Sequence, residues 1–331
     1  MLEMSDFPVI KEETVALDFE PLGLAGHHFV LPHPSNLRRF TIEKKKGRAI
    51  QLDLHQPLKS TPKAPTIILF PGCAGNSNDL INIARRFAAD GFLAWTVDYS
   101  VGDVARQDFS EYTISELVVD VSLVVDFVHQ FSGVDQAQLF IAGHSFGSFS
   151  SFLYAARNHD PRIKAVIGIC PVYDVVELGF NHFNELTQKF TRLGRHLRIF
   201  AKRSKRQLKK VVFFFWRLTG KLFVIKRNGS WAVLTKVFLD DIIGVNSREK
   251  VLGDIAGIEQ PCLLLYGEND PWISEDNVLE IYADIKNDHK AMKVLKGEGH
   301  LPLDEKGADL IYKYTVAFLK QYCPIIPVKG A

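Results

Sequence analysis

The sequence predicts an α/β protein with a mainly parallel central sheet covered by helices on both faces. Two patterns and one bulk property carry this. Short continuous apolar runs at 66–70, 93–97 and 139–142 read as strands buried on both sides. Amphipathic helical stripes lie between them, and strands alternating with helices imply βαβ units. A chain of 331 residues with 47% hydrophobic and 24% charged residues excludes a disordered polymer. It has apolar area enough for two domains, or for one large domain carrying an insertion.

Taken in order, residues 1–38 contain Pro8, Pro21, Pro32 and Pro34 without a sustained period, and are expected to form an irregular arm. From Phe40 the string FTIEKKKGRAIQLDL gives two alternating stretches around a polar turn, a hairpin signal with Gly47 at the bend. Pro57, Pro62 and Pro65 mark a linker before the strand at 66–70. Asn76, Ser77, Asn78 and Asp79 offer N-cap side chains to a helix whose stripe is Leu80, Ile81, Ile83, Ala84, Phe87 and Ala88, stopped at Gly91. Strand 93–97, helix 114–131, strand 139–142, helix 146–157 and strand 165–170 follow. After an interruption come strand 262–266, helix 277–285, strand 292–295 and helix 306–322. The interruption, 174–248, lacks the strand pattern; it is assigned as an inserted, helical cap subdomain between core segments 39–173 and 249–331. No internal repeat is visible.

The net charge of +2 hides a segregation. Residues 186–239 hold 15 Lys and Arg and no Asp or Glu, leaving 25 basic against 38 acidic residues elsewhere. Phe190, Leu193, Leu197, Phe200, Leu208, Val211 and Phe215 recur at helical spacing among these cations, so a basic amphipathic helix is expected. One reading is a solvated cap helix packed on the core. Another is attraction to an anionic membrane or to an amphiphilic, negatively charged substrate, with binding to anionic vesicles that weakens as salt rises. Nucleic acid is disfavoured, because no recognised nucleic-acid motif accompanies the basic residues.

Cys73, Cys170, Cys262 and Cys323 are too few and too scattered for a disulfide framework, and no CxxC spacing suits zinc. Reduced thiols in a cytoplasmic protein are the expectation. The first residues lack the basic and apolar regions of a signal peptide. The densest apolar run, 211–216, falls far short of a membrane span.

Directly after strand 139–142 stands Gly143-His144-Ser145-Phe146-Gly147, and a helical pattern follows. A serine on a sharp strand-to-helix turn is forced out above the sheet, and glycines flank it where side chains would collide with strand and helix. The alternative is a Gly-Ser-rich loop without chemistry. An alcohol needs a general base and a group that orients that base. His300, in Gly297-Glu298-Gly299-His300, and Asp270, in Gly267-Glu268-Asn269-Asp270-Pro271, each follow a strand. All three residues therefore fall at carboxyl ends of strands, the edge at which open α/β sheets bind ligands.

With these residues in place, the sequence resembles the α/β-hydrolase family, and within it the serine hydrolases related to monoglyceride lipases, carboxylesterases and serine aminopeptidases. The resemblance covers about residues 40–173 and 250–322. It implies the α/β-hydrolase fold, with Ser145 as nucleophile, Asp270 as acid and His300 as base. Glu268 is an alternative acid one step of loop slack away, and Asp174 occupies the position that some subgroups use instead. The resemblance also implies an oxyanion hole from the backbone N–H groups of Phe146 and Cys73. The loop Pro71-Gly72-Cys73-Ala74-Gly75 keeps the family's glycine spacing at Gly72 and Gly75 but has Pro71 where His is usual. The string Asp98-Tyr99-Ser100-Val101-Gly102-Asp103 also departs from the family's usual loop. Cys73 as a nucleophile is the competing reading.

The expected activity is cleavage of carboxylic esters through an acyl-enzyme, with no metal and no diffusible cofactor implied. Thioester cleavage, acyl transfer and peptide cleavage use the same residues. A non-catalytic receptor or membrane-binding scaffold is the reading outside enzymes.

Overall fold

The computed structural model describes residues 10–14, 36–44, 47–57, 62–101, 109–175, 218, 221–227 and 230–323. A nine-stranded sheet organises them. Its strands are β1 (Ile10–Thr14), β2 (Asn36–Glu43), β3 (Ala49–Gln56), β4 (Ala64–Phe70), β5 (Leu93–Asp98), β6 (Val134–His144), β7 (Ile163–Ile169), β10 (Cys262–Gly267) and β11 (Lys290–Leu295), with β8 and β9 standing apart. The spatial order is β1-β2-β3-β5-β4-β6-β7-β10-β11. The first three strands and the β3–β5 pair are antiparallel; from β5 to β11 every pairing is parallel.

Among the described residues, seven helices connect the strands: α1 (Ile81–Ala89), α2 (Ile114–Gln130), α3 (Phe146–Asn158), α4 (Lys236–Gly244), α5 (Arg248–Ile255), α6 (Glu275–Asp284) and α7 (Glu305–Tyr322). The alternation of side chains along a strand decides which face each residue joins. Ile67 and Leu69 of β4, with Phe140 and Ala142 of β6, pack under α1 and α7, while Ile68, Phe70, Leu139 and Ile141 face α2 and α3. This is why those runs read as continuously apolar: both faces are covered. Helix starts follow the capping chemistry. Asn76 caps a 3₁₀ turn (Ser77–Leu80) that leads into α1, Thr113 caps α2, Ser274 caps α6 and Asp304 caps α7.

Two expectations need correction. The arm is not wholly irregular, because β1 pairs with the outer edge of β2 over five residues. Its string IKEET alternates without an apolar face, so periodicity could not announce it; Lys11–Glu43 and Arg38–Glu12 ion pairs at 2.8 and 2.5 Å line the pairing instead. The insertion is not wholly helical either. β8 (Lys221–Arg227) and β9 (Ser230–Thr235) form an antiparallel ribbon. Asn228-Gly229 between them is the dipeptide most favoured in tight hairpins, a signal masked by reading this stretch for charge. The expected basic helix over 190–215 lies outside the described residues. Among the described residues, no helix is long and apolar enough to cross a membrane.

The order of the strands places the site. The chain runs β4, then outward to β5, then back across β4 to β6, so connections after β4 and β6 leave in opposite senses and open a crevice at their carboxyl ends. Phe70 pairs with Gly143, His144 with Ile169, and Gly267 with Leu295, so these strands end nearly flush and their loops meet above one edge.

Candidate active site

Ser145 occupies the turn between β6 and α3 with φ 54° and ψ −114°. A non-glycine residue in this region carries strain of order 1–3 kcal/mol and persists only when its surroundings hold it. They do so sterically. A Cβ on Gly143 would lie 2.1 Å from the Gly147 carbonyl, and one on Gly147 would lie 2.2 Å from the Phe70 carbonyl oxygen. Strand and helix are therefore in backbone contact on either side of the serine. The Ser145 N–H donates to Ile169 O of β7 at 2.8 Å. That bond leaves the backbone anchored and the hydroxyl turned toward the edge.

The three expected residues are brought together. His300 Nε2 lies 3.1 Å from Ser145 Oγ, and His300 Nδ1 lies 2.8 Å from Asp270 Oδ2. Ser145 and His300 are 5% and 6% exposed, and the Asp270 carboxylate is fully buried. Its second oxygen is not idle: Oδ1 accepts the backbone N–H groups of Trp272 and Ile273 at 2.8 and 3.0 Å. These bonds aim Oδ2 at the imidazole. A buried carboxylate so placed sets the His300 tautomer with the proton on Nδ1, which leaves Nε2 bare to accept the serine proton.

The alternative acids go elsewhere. Glu268 points outward to Lys296 Nζ (3.1 Å) and the Gly297 N–H (2.9 Å), and that backbone bond, with Lys296, holds its carboxyl below the ordinary range. Asp174 has Arg248 Nε at 3.8 Å.

The loop after β4 turns beside the serine. Gly75 N–H donates to Gly72 O, and Ala74 adopts φ 54°. A Cβ on Gly72 would lie 3.2 Å from the Ser145 Cβ, so the absence of a side chain there lets this loop approach the hydroxyl. Gly75 closes the turn, where a Cβ would crowd the Asp79 carboxylate and Gly72 O. Phe146 opens α3, and the first N–H groups of a helix have no partner within it. The Cys73 amide belongs to the loop after β4, and the Phe146 amide opens the helix directly after Ser145. Burial pushes the Cys73 thiol up to about 12, so it stays protonated and un-nucleophilic at neutral pH.

Trp272 carries no sequence signal for its place at the site. Trp272 lays its ring 4.6 Å from the His300 ring. Beneath the site Tyr112, Phe146 and Phe238, from three separate segments, stack at 6.0–6.4 Å within the core. A shallow depression, too small for more than a water-sized group, lies between the 171–174 loop and Trp272, Ile273 and Asn277. Cys170, Asp270 and His300 also offer three potential metal-ligand atoms within 4.8 Å of one another. The pair Asp270–His300 is already joined there by a short hydrogen bond through Nδ1, the atom a cation would need. All four cysteines are free thiols.

Comparison with known proteins agrees with the architecture. In the solved structures, Est1E from Butyrivibrio proteoclasticus superposes with a TM-score of 0.59 at 17% identity, covering 85% of this chain and 99% of its own. The α/β hydrolase GrgF from Penicillium sp. sh18 gives 0.61 at 16% identity, covering 88% and 100%. Acetyl xylan esterase from Paenibacillus sp. R4 gives 0.58 at 14% identity, covering 95% and 88%. Identities this low speak for the fold alone. No curated protein sequence matches. The family model described as serine aminopeptidase, S33, matches residues 61–307, which span both halves of the sheet and all three residues of the Ser145–His300–Asp270 relay, and the chain belongs to that family of α/β-fold hydrolases.

Proposed function

We propose that the chain is a serine hydrolase that cleaves carboxylic esters through an acyl-enzyme. The observation that carries this reading is the continuous relay from Ser145 Oγ through His300 to the buried Asp270 carboxylate, at 3.1 and 2.8 Å. In the first half-reaction, Ser145 Oγ attacks the ester carbonyl carbon while His300 Nε2 takes its proton. Asp270 stabilises the imidazolium that forms. The carbonyl oxygen gains negative charge and is met by the N–H groups of Cys73 and Phe146. Collapse of the tetrahedral intermediate breaks the bond to the alkoxy oxygen, which leaves with the proton from His300. Water, deprotonated by the same nitrogen, then releases the acid and regenerates Ser145.

An apolar acyl group is the reading favoured here, because Phe146, next in the chain after Ser145, belongs to a buried aromatic stack with Tyr112 and Phe238 that carries no charged group. The leaving group has to face His300 to receive its proton, and Trp272 borders the imidazole on that path. The acetyl xylan esterase is named for ester cleavage, consistent with such a role on this fold. The family's description favours a second reading, cleavage of an aminoacyl amide by the same residues.

One comparison separates these. A p-nitrophenyl ester series of increasing acyl length and a set of aminoacyl p-nitroanilides are assayed on the wild type and on Ser145→Ala. Ester turnover that vanishes in the variant, with anilides cleaved far more slowly, is the expected result. Anilides outrunning every ester would make the protein a peptidase. Ester turnover that survives in Ser145→Ala would overturn the nucleophile assignment.

A further inference from the structure

His144, the second residue of the elbow pentapeptide, has no part in the steps above, yet its ring touches the base loop and borders the loop after β4. The ring is 3% exposed, and burial, helped by the neighbouring His300, pushes its pKa down to about 4. It is therefore neutral at working pH and carries a single N–H. Its Nε2 lies 2.7 Å from the carbonyl oxygen of His300. A carbonyl oxygen only accepts, so that nitrogen holds the proton and His144 donates. The opposite edge of the ring faces the loop after β4, where a Cβ on Gly72 would meet Nδ1 at 3.0 Å.

His300 needs such a tether. Residues 298–304 form no helix or strand, and the next side chain, Leu301, is 63% exposed. The loop is held instead by point contacts. Glu298 O accepts from Asn269 N–H at 2.8 Å, and Cys170 at the end of β7 places Sγ 3.8 Å from Gly299 O. With the His144 bond, the two carbonyls that flank the His300 Cα both accept from side chains rooted at the ends of β6 and β7. The ends of β6 and β7 thus set the height of the loop that carries His300.

We propose that His144 is a positioning residue for the base: its Nε2–H holds the His300 backbone at the height from which the His300 imidazole meets Ser145 Oγ. The proposal rests on the serine-hydrolase reading. A misplacement of about 1 Å in such a contact costs on the order of 10²-fold in rate, while a substrate that binds elsewhere in the cleft does not sense it.

The test uses His144→Leu, which fills the space without a donor, and His144→Gln, whose side-chain amide restores one. Fluorophosphonate labelling rate, kcat and KM for one p-nitrophenyl ester, and Tm are measured for each. In His144→Leu, labelling rate and kcat should both fall about 30-fold with KM within about twofold of wild type, and His144→Gln should recover to within about fivefold. Equal losses in both variants that track a fall in Tm would overturn the proposal in favour of a packing role, as would a His144→Leu enzyme within twofold of wild type. Should His144→Leu not fold, ¹⁵N-histidine NMR of the wild type decides: the proposal requires a neutral Nε2–H ring at every pH at which the enzyme works, and an Nδ1–H or charged ring there contradicts it. A wild type that neither labels nor turns over would instead remove the hydrolase reading itself.

Discussion

The two sides of the site are built by different physics. On the nucleophile side, Ser145 is held by exclusion: Gly143 and Gly147 bring backbone within 2.1–2.2 Å of where any Cβ would sit, and the serine adopts a strained φ of 54° as a result. On the base side, His300 rides on an irregular loop held by its hydrogen bond to Asp270 and by hydrogen bonds from Asn269, His144 and Cys170. Steric exclusion is all-or-none, because overlapping backbones cannot be accommodated by a small shift. Hydrogen bonds are graded, because each holds position in proportion to its own strength. The nucleophile side should therefore fail by losing the fold, and the base side by losing rate.

The largest expected effect follows directly. Gly143→Ala places a methyl group on the Gly147 carbonyl and should cost more than about 4 kcal/mol, enough to leave little folded protein by circular dichroism. Gly253→Ala in the exposed middle of α5, where a Cβ meets nothing within 4 Å, is the matched control and should stabilise by about 0.5–1 kcal/mol in urea unfolding. If both glycines tolerate alanine alike, exclusion is not what holds Ser145.

Next comes the base side. Asp270→Asn keeps the shape but disturbs the tautomer of His300, and kcat for ester cleavage should fall by about 10⁴-fold with the circular dichroism spectrum unchanged. Glu268→Gln, two positions earlier on the same loop, should stay within about threefold, because its carboxylate serves the turn at Gly297 and not the imidazole. Reversal of these two magnitudes would move the acid to Glu268.

The smallest effect concerns pH. Asp98, at the end of β5, accepts the Ser77 N–H behind the oxyanion loop. Burial first, then the nearby Asp53 carboxylate, push its pKa up to about 6 against that hydrogen bond and Arg39. A group raised in the folded state gives stability that is complete below its unfolded value, near 3.8, and lost as pH rises through about 6. Asp98→Asn should remove that decline between pH 4 and 6 in chemical denaturation. His144 has the opposite sign: its pKa is depressed to about 4, so its contribution is present above about 6.5 and lost as pH falls toward 4. His144→Gln should flatten that second slope, and an Asp98→Asn profile parallel to wild type would contradict the assignment to Asp98.

The same contrast explains what was legible in the sequence. The elbow could be read because its constraints are local: five consecutive residues, two of them obligatory glycines, follow an apolar strand. The parallel strands could be read because double burial leaves uninterrupted apolar runs. Asp270 and Glu268 could not be separated by spacing alone, since each lies beyond the end of the same strand; which one turns inward depends on the backbone bonds that Trp272 and Ile273 give to Asp270 Oδ1. The parts of His144 and Trp272 were invisible, because one bonds a backbone carbonyl 156 residues away and the other packs its ring, tilted, against a ring 28 residues on. A carbonyl acceptor leaves no mark on residue identity. β1 was missed for a related reason, as its five residues gain from edge pairing and ion pairs, not from an apolar face.

The most direct test of the central claim is to map the site of fluorophosphonate attachment by peptide mass spectrometry in the wild type, Ser145→Ala and Cys73→Ala. The account predicts a single adduct on the peptide containing Ser145, unchanged in Cys73→Ala and absent from folded Ser145→Ala. An adduct on Cys73, or ester turnover with no adduct on Ser145, would contradict it.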